Sequence, residues 1–399
     1  MNRSILNPRF VVLTGLLIRL LVIPFTLNWD LWANTRLADT FDLKQLDKFY
    51  EEPIAAYPPP TYIWLKSSLN IIKLINGNAF NLWISDSDFG SITNPLLYRY
   101  LALIKLPYLI VEIACAFLFS SLFKARQKLF AYMLWWWNPA VIFLVSAWTN
   151  IDVFVILFVL LSIKAFQSKR LMLSAAFMST GVTFKILPVF FLPFLILAIP
   201  RISRKIVATL VCVAFVIAGH IPVLPVLASY VNHAIIGGYR DQVLFSILAI
   251  GPDRTIIVVY LLYFLLLFLF LYIKETERQS RLVSYIFGVL VIIFSFSRFS
   301  LQWFIWLVPF LNIIIIKFWK LRWYPVMAYG VFFLMIFFSQ ASLNIGMLNP
   351  LEATLWRLDY PWKQILGEKN LVTLFNTLHT VFSAGLIFAG INILKEEMI

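Results

Sequence analysis

The sequence predicts an all-α polytopic membrane protein of about twelve transmembrane helices, with amphipathic interfacial helices in a long first extracytoplasmic loop. Three observations carry this. Hydrophobic residues make up 61% of the 399, and the mean hydropathy is +0.87. Apolar runs recur near the length of about 20 residues needed to cross a bilayer. Lys and Arg gather in alternate connections, as cytoplasmic loops require. A soluble fold is excluded on this composition. The formal net charge of +14 therefore belongs to retained loop cations and not to a nucleic-acid surface.

The first span runs near Arg9 to Thr26, after the basic segment MNRSILNPRF, and is interrupted by Arg19. With no small-residue cleavage site following it, it reads as a retained span. After a long loop the spans continue near Tyr100 to Phe123, Leu129 to Ala147, Asp152 to Phe166 and Leu171 to Phe184. Next come Pro188 to Ile199, whose prolines weaken it, Ile206 to Leu227, and Thr255 to Ile273. Leu282 to Phe296, Leu301 to Ile316, Trp323 to Leu343 and Leu371 to Leu394 complete the series.

Charge tests this count separately. Lys124, Arg126 and Lys128, then Lys169 and Arg170, then Arg201, Arg204 and Lys205 fall on one side. Lys274, Arg278, Arg281, Lys317, Lys320 and Arg322 join them, with Arg3, Arg9 and Lys395. That side is cytoplasmic by the positive-inside bias, with both termini inside. Asp30, Asp152, Asp241, Asp253, Glu352, Asp359 and Glu368 then lie outside, where the long connections 28–99, 228–254 and 344–370 also fall.

In the first of these, LKQLDKFY and WLKSSLNIIKLI carry apolar residues at helical spacing beside lysines, the pattern of helices lying in the interface plane. Asp86 and Asp88 form an Asp-x-Asp of the kind found in both metal loops and plain polar turns. Cys115 and Cys212 lie in apolar spans and read as packing residues. His220, His233 and His379 lack metal-like spacing, so no metal is expected. Arg19 and Glu112, both inside spans, are expected to pair with each other or with Lys105.

Acid is scarce at 13% charged residues overall, so its clustering at Asp30, Asp39, Asp42, Asp47, Glu51 and Glu52 is informative. Three features meet there: NWD directly after the first span, Arg36 six residues beyond Asp30, and AAYPPPTYIW some thirty residues on. This loop resembles the first lumenal loop of the GT-C superfamily of membrane glycosyltransferases. It is most similar to the polyprenyl-phosphate-glucose-dependent glucosyltransferases of N-glycan assembly, although Pro60 stands where that branch has Leu. SAWTNIDVF, VTFKILPVFFLP and GGYRDQVLF resemble further stretches of the family in the same order. SRFSLQWFIWLVP resembles a run of the GPI-anchor mannosyltransferases. The likeness implies a GT-C-like core module over 1–227 and a C-terminal transmembrane module over 228–399.

It also implies an inverting transfer of mannose or glucose from a polyprenyl-phosphate donor to a lipid-linked or glycan acceptor. No metal or other cofactor is expected, and the chain is expected to act as a monomer. Such chemistry needs a base for the acceptor hydroxyl and cations for the departing phosphate. Asp30, at headgroup depth beside Trp29, is the candidate base. Lys185, Arg240, Arg298 and Gln302 are the candidates for the donor phosphate. Arg36, Tyr57, Tyr62, Asn150, Asp152, Tyr239 and Asp241 are the candidates for sugar and acceptor. Tyr57 and Tyr62 flank prolines 58–60, which serve equally as a rigid presenting turn or a plain helix start. The competing classes are a secondary transporter, against which the 14 glycines and external long loop argue, and a lipid-linked oligosaccharide polymerase or ligase. A prokaryotic plasma membrane is favoured over the endoplasmic reticulum.

Overall fold

The computed structural model describes residues 7–52, 54–86, 92–232, 247–249 and 254–398. The described residues are mostly helical, and apolar helices fall within the expected spans. Five of these are long and apolar enough to cross a membrane: Pro8–Phe25, Leu97–Ser121, Ile202–Tyr230, Glu275–Phe296 and Glu368–Ile393. Ala125–Trp136 and Pro139–Ala147 would make a sixth if their 43° bend interrupts one span. Other segments are shorter than a full crossing, including Leu171–Phe184, Leu187–Ala198, Val258–Tyr272 and Leu301–Lys317. Among the described residues the structure is all-α but for one short element. Ile247–Ala249 pairs antiparallel with Thr255–Ile257 in a small two-stranded sheet.

Local sequence explains the elements that position the charged end of the bundle. Helix α1 (Pro8–Val22) starts with Pro8 in its first turn, where a missing amide costs nothing, and the Asn7 side chain accepts from Arg9 N. Helix α2 (Trp29–Thr40) is capped by Asn28, whose side-chain oxygen takes the Asp30 amide at 2.7 Å, and Asp30 itself complements the positive end of the helix. Helix α3 (Pro59–Asn76) begins at the prolines and stops at Gly77, whose φ of 63° suits glycine. It buries Tyr62, Leu65, Leu69 and Ile72 and exposes Ile63, Trp64, Ile71 and Leu74. That two-sided apolarity fits a helix partly sunk in lipid. The other expected interfacial helix shrinks to one turn, Leu46–Phe49.

Helices α4 (Leu97–Ser121), α5 (Ala125–Trp136), α6 (Asp152–Gln167) and α7 (Leu171–Phe184) form the centre of the bundle, with α6 against both α4 and α7. After α5 the Asn138–Pro139 pair breaks the helix. The chain resumes and widens into a π-helical turn over Ile142–Ala147. Gly15 lets α1 approach α5, since a Cβ there would collide with the Trp136 indole. Helices α8 (Ile202–His220), α9 (Val258–Tyr272), α10 (Glu275–Phe296), α11 (Val308–Lys317), α12 (Trp323–Phe337) and α13 (Glu368–Ile393) complete the bundle. Within it α10 and α12 both pack on α13.

Basic connections gather at one end of this bundle. Lys169 Nζ reaches Gln279 Oε1 at 3.4 Å, and Lys205 Nζ pairs with Glu275 at 2.9 Å. Asp30, Asp152 and Lys185 lie at the opposite end.

Candidate functional site

The site is built from chain ends that the bundle brings together. Asp30, in the first turn of α2, accepts a hydrogen bond from Trp148 Nε1 at 2.9 Å on its Oδ2. Trp148 sits where the π-helical turn leaves the bundle. The next residue, Thr149, has a φ of 67°, a costly backbone conformation for a β-branched residue. Its buried hydroxyl has no hydrogen-bond partner. Such strain persists only where the surroundings over-determine it, and here both neighbours of Thr149 are tied down.

Asn150 is the second tie. Its amide donates to the Gln302 carbonyl at 2.7 Å and to Asp152 Oδ2 at 3.2 Å, while its oxygen takes the Asp152 amide at 3.0 Å. Asp152 Oδ1 in turn accepts from Lys185 Nζ at 2.6 Å, both side chains being buried. Lys185 stands on extended backbone just after α7, with its ammonium 5.3 Å from the Trp303 ring centre and 5.8 Å from that of Tyr57. Thr61 Oγ1 donates to the Phe184 carbonyl at 2.9 Å and locks the proline-led start of α3 onto this turn.

These groups act on one another electrically. Burial pushes the Asp30 carboxyl above the usual carboxylate range, and the Asp152 charge adds to this. The Trp148 hydrogen bond and the Lys185 charge offset part of the rise. Asp30 and the Asp152–Lys185 pair therefore form one acidic and cationic centre, walled by Trp148, Trp303 and Tyr57.

The candidates divide accordingly. Asp30, Tyr57, Asn150, Asp152 and Lys185 come together, and Gln302 joins through its backbone carbonyl. Tyr62 corrects the expectation of sugar contact. It is fully buried in an aromatic cluster, stacked on Phe41 at 5.6 Å and edge-on to Phe49 at 4.8 Å. Asn150 is likewise spent on protein partners, and Lys185 is paired rather than a free cation. Arg36 lies on another face of α2 from Asp30. With Trp29, Trp32, Thr40, Glu52 and Ile54 it lines a groove of about 290 Å³. Arg298 is exposed and lines a separate cleft of about 700 Å³ with Ser297, Phe375, Asn376 and His379. Tyr239, Arg240 and Asp241 lie outside the described residues, as do Asp88 and His233. Among the described residues no cluster of His, Cys, Asp or Glu has metal-ligand spacing.

A buried polar chain under the site was only partly foreseen. Arg19 and Glu112 do pair, and Arg19 also donates to the Gly15 and Trp136 carbonyls while stacking 3.6 Å above the Trp136 ring. Lys105 joins neither. It donates to Thr26 O at 2.6 Å, Thr26 Oγ1 at 2.8 Å, Ser146 O at 3.2 Å and Ala147 O at 3.1 Å. One ammonium thus fastens the end of the first span to the end of the π-helical turn, fixing the two segments from which Asp30 and Trp148 project.

Fold and site together describe a helical protein with apolar helices of membrane-spanning length and a charged centre at the end opposite its basic connections. No family model, curated protein or solved structure matches the chain.

Proposed function

We propose that the chain is an inverting hexosyltransferase of the GT-C type, built on about twelve spans with both termini cytoplasmic. It moves mannose or glucose from a polyprenyl-phosphate donor to a lipid-linked or glycan acceptor on the extracytoplasmic face, in a prokaryotic plasma membrane. The observation that carries this reading is the placement of Asp30: a half-buried carboxyl, hydrogen-bonded to an indole, within electrostatic reach of a buried Lys185–Asp152 pair.

A general base works best when its proton affinity approaches that of its medium, and burial moves Asp30 in that direction. In the proposed step the acceptor oxygen attacks the anomeric carbon and its proton passes to the Asp30 carboxylate. The bond from that carbon to the phosphate oxygen breaks, and the electron pair leaves with the polyprenyl phosphate, which needs no protonation. Lys185 has ammonium protons beyond the one given to Asp152, and these face the charge that develops on the phosphate. Tyr57 and Trp303 supply flat walls suited to a sugar ring.

The test uses the purified full chain in detergent, with polyprenyl-phosphate-glucose or polyprenyl-phosphate-mannose and a crude acceptor extract. Transfer from one donor is expected, reduced at least about a hundredfold in Asp30→Asn with donor binding retained. A chain that binds neither donor and shows no transfer would sink the proposal and turn attention to transport.

A further inference from the structure

The basic end of the bundle holds a pocket that the proposed reaction does not use. Its floor is the junction of α4 and α5, with Leu122, Phe123 and Lys124, and Arg126 stands on its rim. The C-terminal end of α11 closes the far side with Ile316 and Lys317. Its volume is about 740 Å³, ample for a lipid headgroup and the first carbons of its chains. Lys164 Nζ, donating to the Ser121 carbonyl at 2.6 Å, holds α6 against this junction.

Three cations line the pocket and none of the lining residues is acidic. Among the described residues Lys124, Arg126 and Lys317 make no ion pair. Glu397 is the acid within electrostatic reach of Lys317. The lining itself carries three cations and no acid, which gives the pocket a positive field.

Its depth is marked independently. Immediately beyond Lys317, Trp319 and Trp323 are 70% and 65% exposed, with the Arg322 guanidinium 3.2 Å and 5.1 Å from their rings. Exposed tryptophans beside a cation are the signature of the membrane–water boundary. The pocket mouth therefore lies at headgroup level, and its apolar wall of Phe123, Phe130 and Ile316 continues toward the acyl region.

We infer that this pocket, with Lys124, Arg126 and Lys317, binds the phosphate of an anionic phospholipid from the leaflet at the basic end of the protein. Phosphate suits a converging set of Lys and Arg donors, and basic clefts between membrane helices select anionic headgroups. The inference stands whether or not the chain transfers sugars.

The experiment is native mass spectrometry of the full chain in mild detergent, mixed with equal amounts of phosphatidylglycerol and phosphatidylethanolamine. Retained lipid is expected to be enriched several-fold in phosphatidylglycerol. Each cation removed should lower that enrichment in part, and K124Q/R126Q/K317Q should bring the two lipids to parity. Arg126→Gln alone, on the exposed rim, gives a partial loss should the triple variant fold poorly. The comparison variant K320Q/R322Q removes nearby charge from the same end and should keep the preference. Equal retention of both lipids by the unaltered chain would overturn the inference. So would an equal loss in K320Q/R322Q, which would make the attraction a diffuse surface effect. Stripping of the lipid by inorganic phosphate, but not by chloride of equal ionic strength, would reassign the pocket to free phosphate.

Discussion

At the Asp30 carboxyl, burial, one indole hydrogen bond and two neighbouring charges compete, and burial prevails. The folded protein thus holds this proton more tightly than the unfolded chain does, whose ordinary value is 3.8. From about that value up to the raised one, the folded state binds more protons, so Asp30's contribution to stability falls as pH rises through this window. For a general base the same shift sets the acidic limb of a pH–rate profile, activity rising as the carboxyl ionises. Trp148→Phe removes an influence that lowers the value, so the limb should move to higher pH in the rate profile. A limb that stays fixed would remove Asp30 from the titration. Sequence reasoning reached Asp30 and Lys185 because a carboxyl at a span end and a lysine beside an apolar run are individually conspicuous. Trp148 gave no such sign, being one of 14 tryptophans, and the positive φ of Thr149 is invisible in a residue type that seldom adopts it. Lys185 meeting Asp152 was beyond pattern reading, since 33 positions separate them and only packing sets their distance.

Among the elements, α1, α4 and α5 are held by charge inside a region that should be apolar. Arg19 is fully buried with Glu112, and its Nη1 donates to the Gly15 and Trp136 carbonyls. A satisfied pair of this kind contributes little net stability, but breaking it strands a charge at a cost of about 3–5 kcal/mol. Arg19→Met or Glu112→Leu alone should therefore lower the midpoint of thermal unfolding in detergent sharply. The double variant R19M/E112L should recover most of the loss, and a strictly additive double variant would contradict a coupled pair. The helices themselves were legible because hydropathy and loop charge report the same boundaries. Their lengths were not. Proline, the Asn138–Pro139 break and the π-helical turn shorten several apolar runs, and no periodicity records how far a broken helix continues. The paired strands Ile247–Ala249 and Thr255–Ile257 escaped notice because three-residue strands carry too little pattern.

Across the whole molecule, the site depends on residues from both ends of the chain. The Leu27 amide donates to the Met347 carbonyl at 2.8 Å, and Asn349 Nδ2 donates back to the Leu27 carbonyl at 2.8 Å. Tyr98 OH adds a bond to the Pro350 carbonyl at 3.0 Å. Asn349→Ala leaves the buried Leu27 carbonyl without this donor, a loss of about 1–3 kcal/mol. Limited proteolysis should then cut the first long connection faster, and an unchanged cleavage rate would show that the clasp is not what holds it. This clasp also acts in time. During synthesis the segment bearing Asp30 leaves the ribosome early, yet its fastening partner is specified more than three hundred residues later. The carboxyl therefore waits in an unfinished setting while the rest of the bundle is still being made. A nascent chain stopped short of Asn349 would carry every charged group of the centre and still lack the latch that sets Asp30 in place.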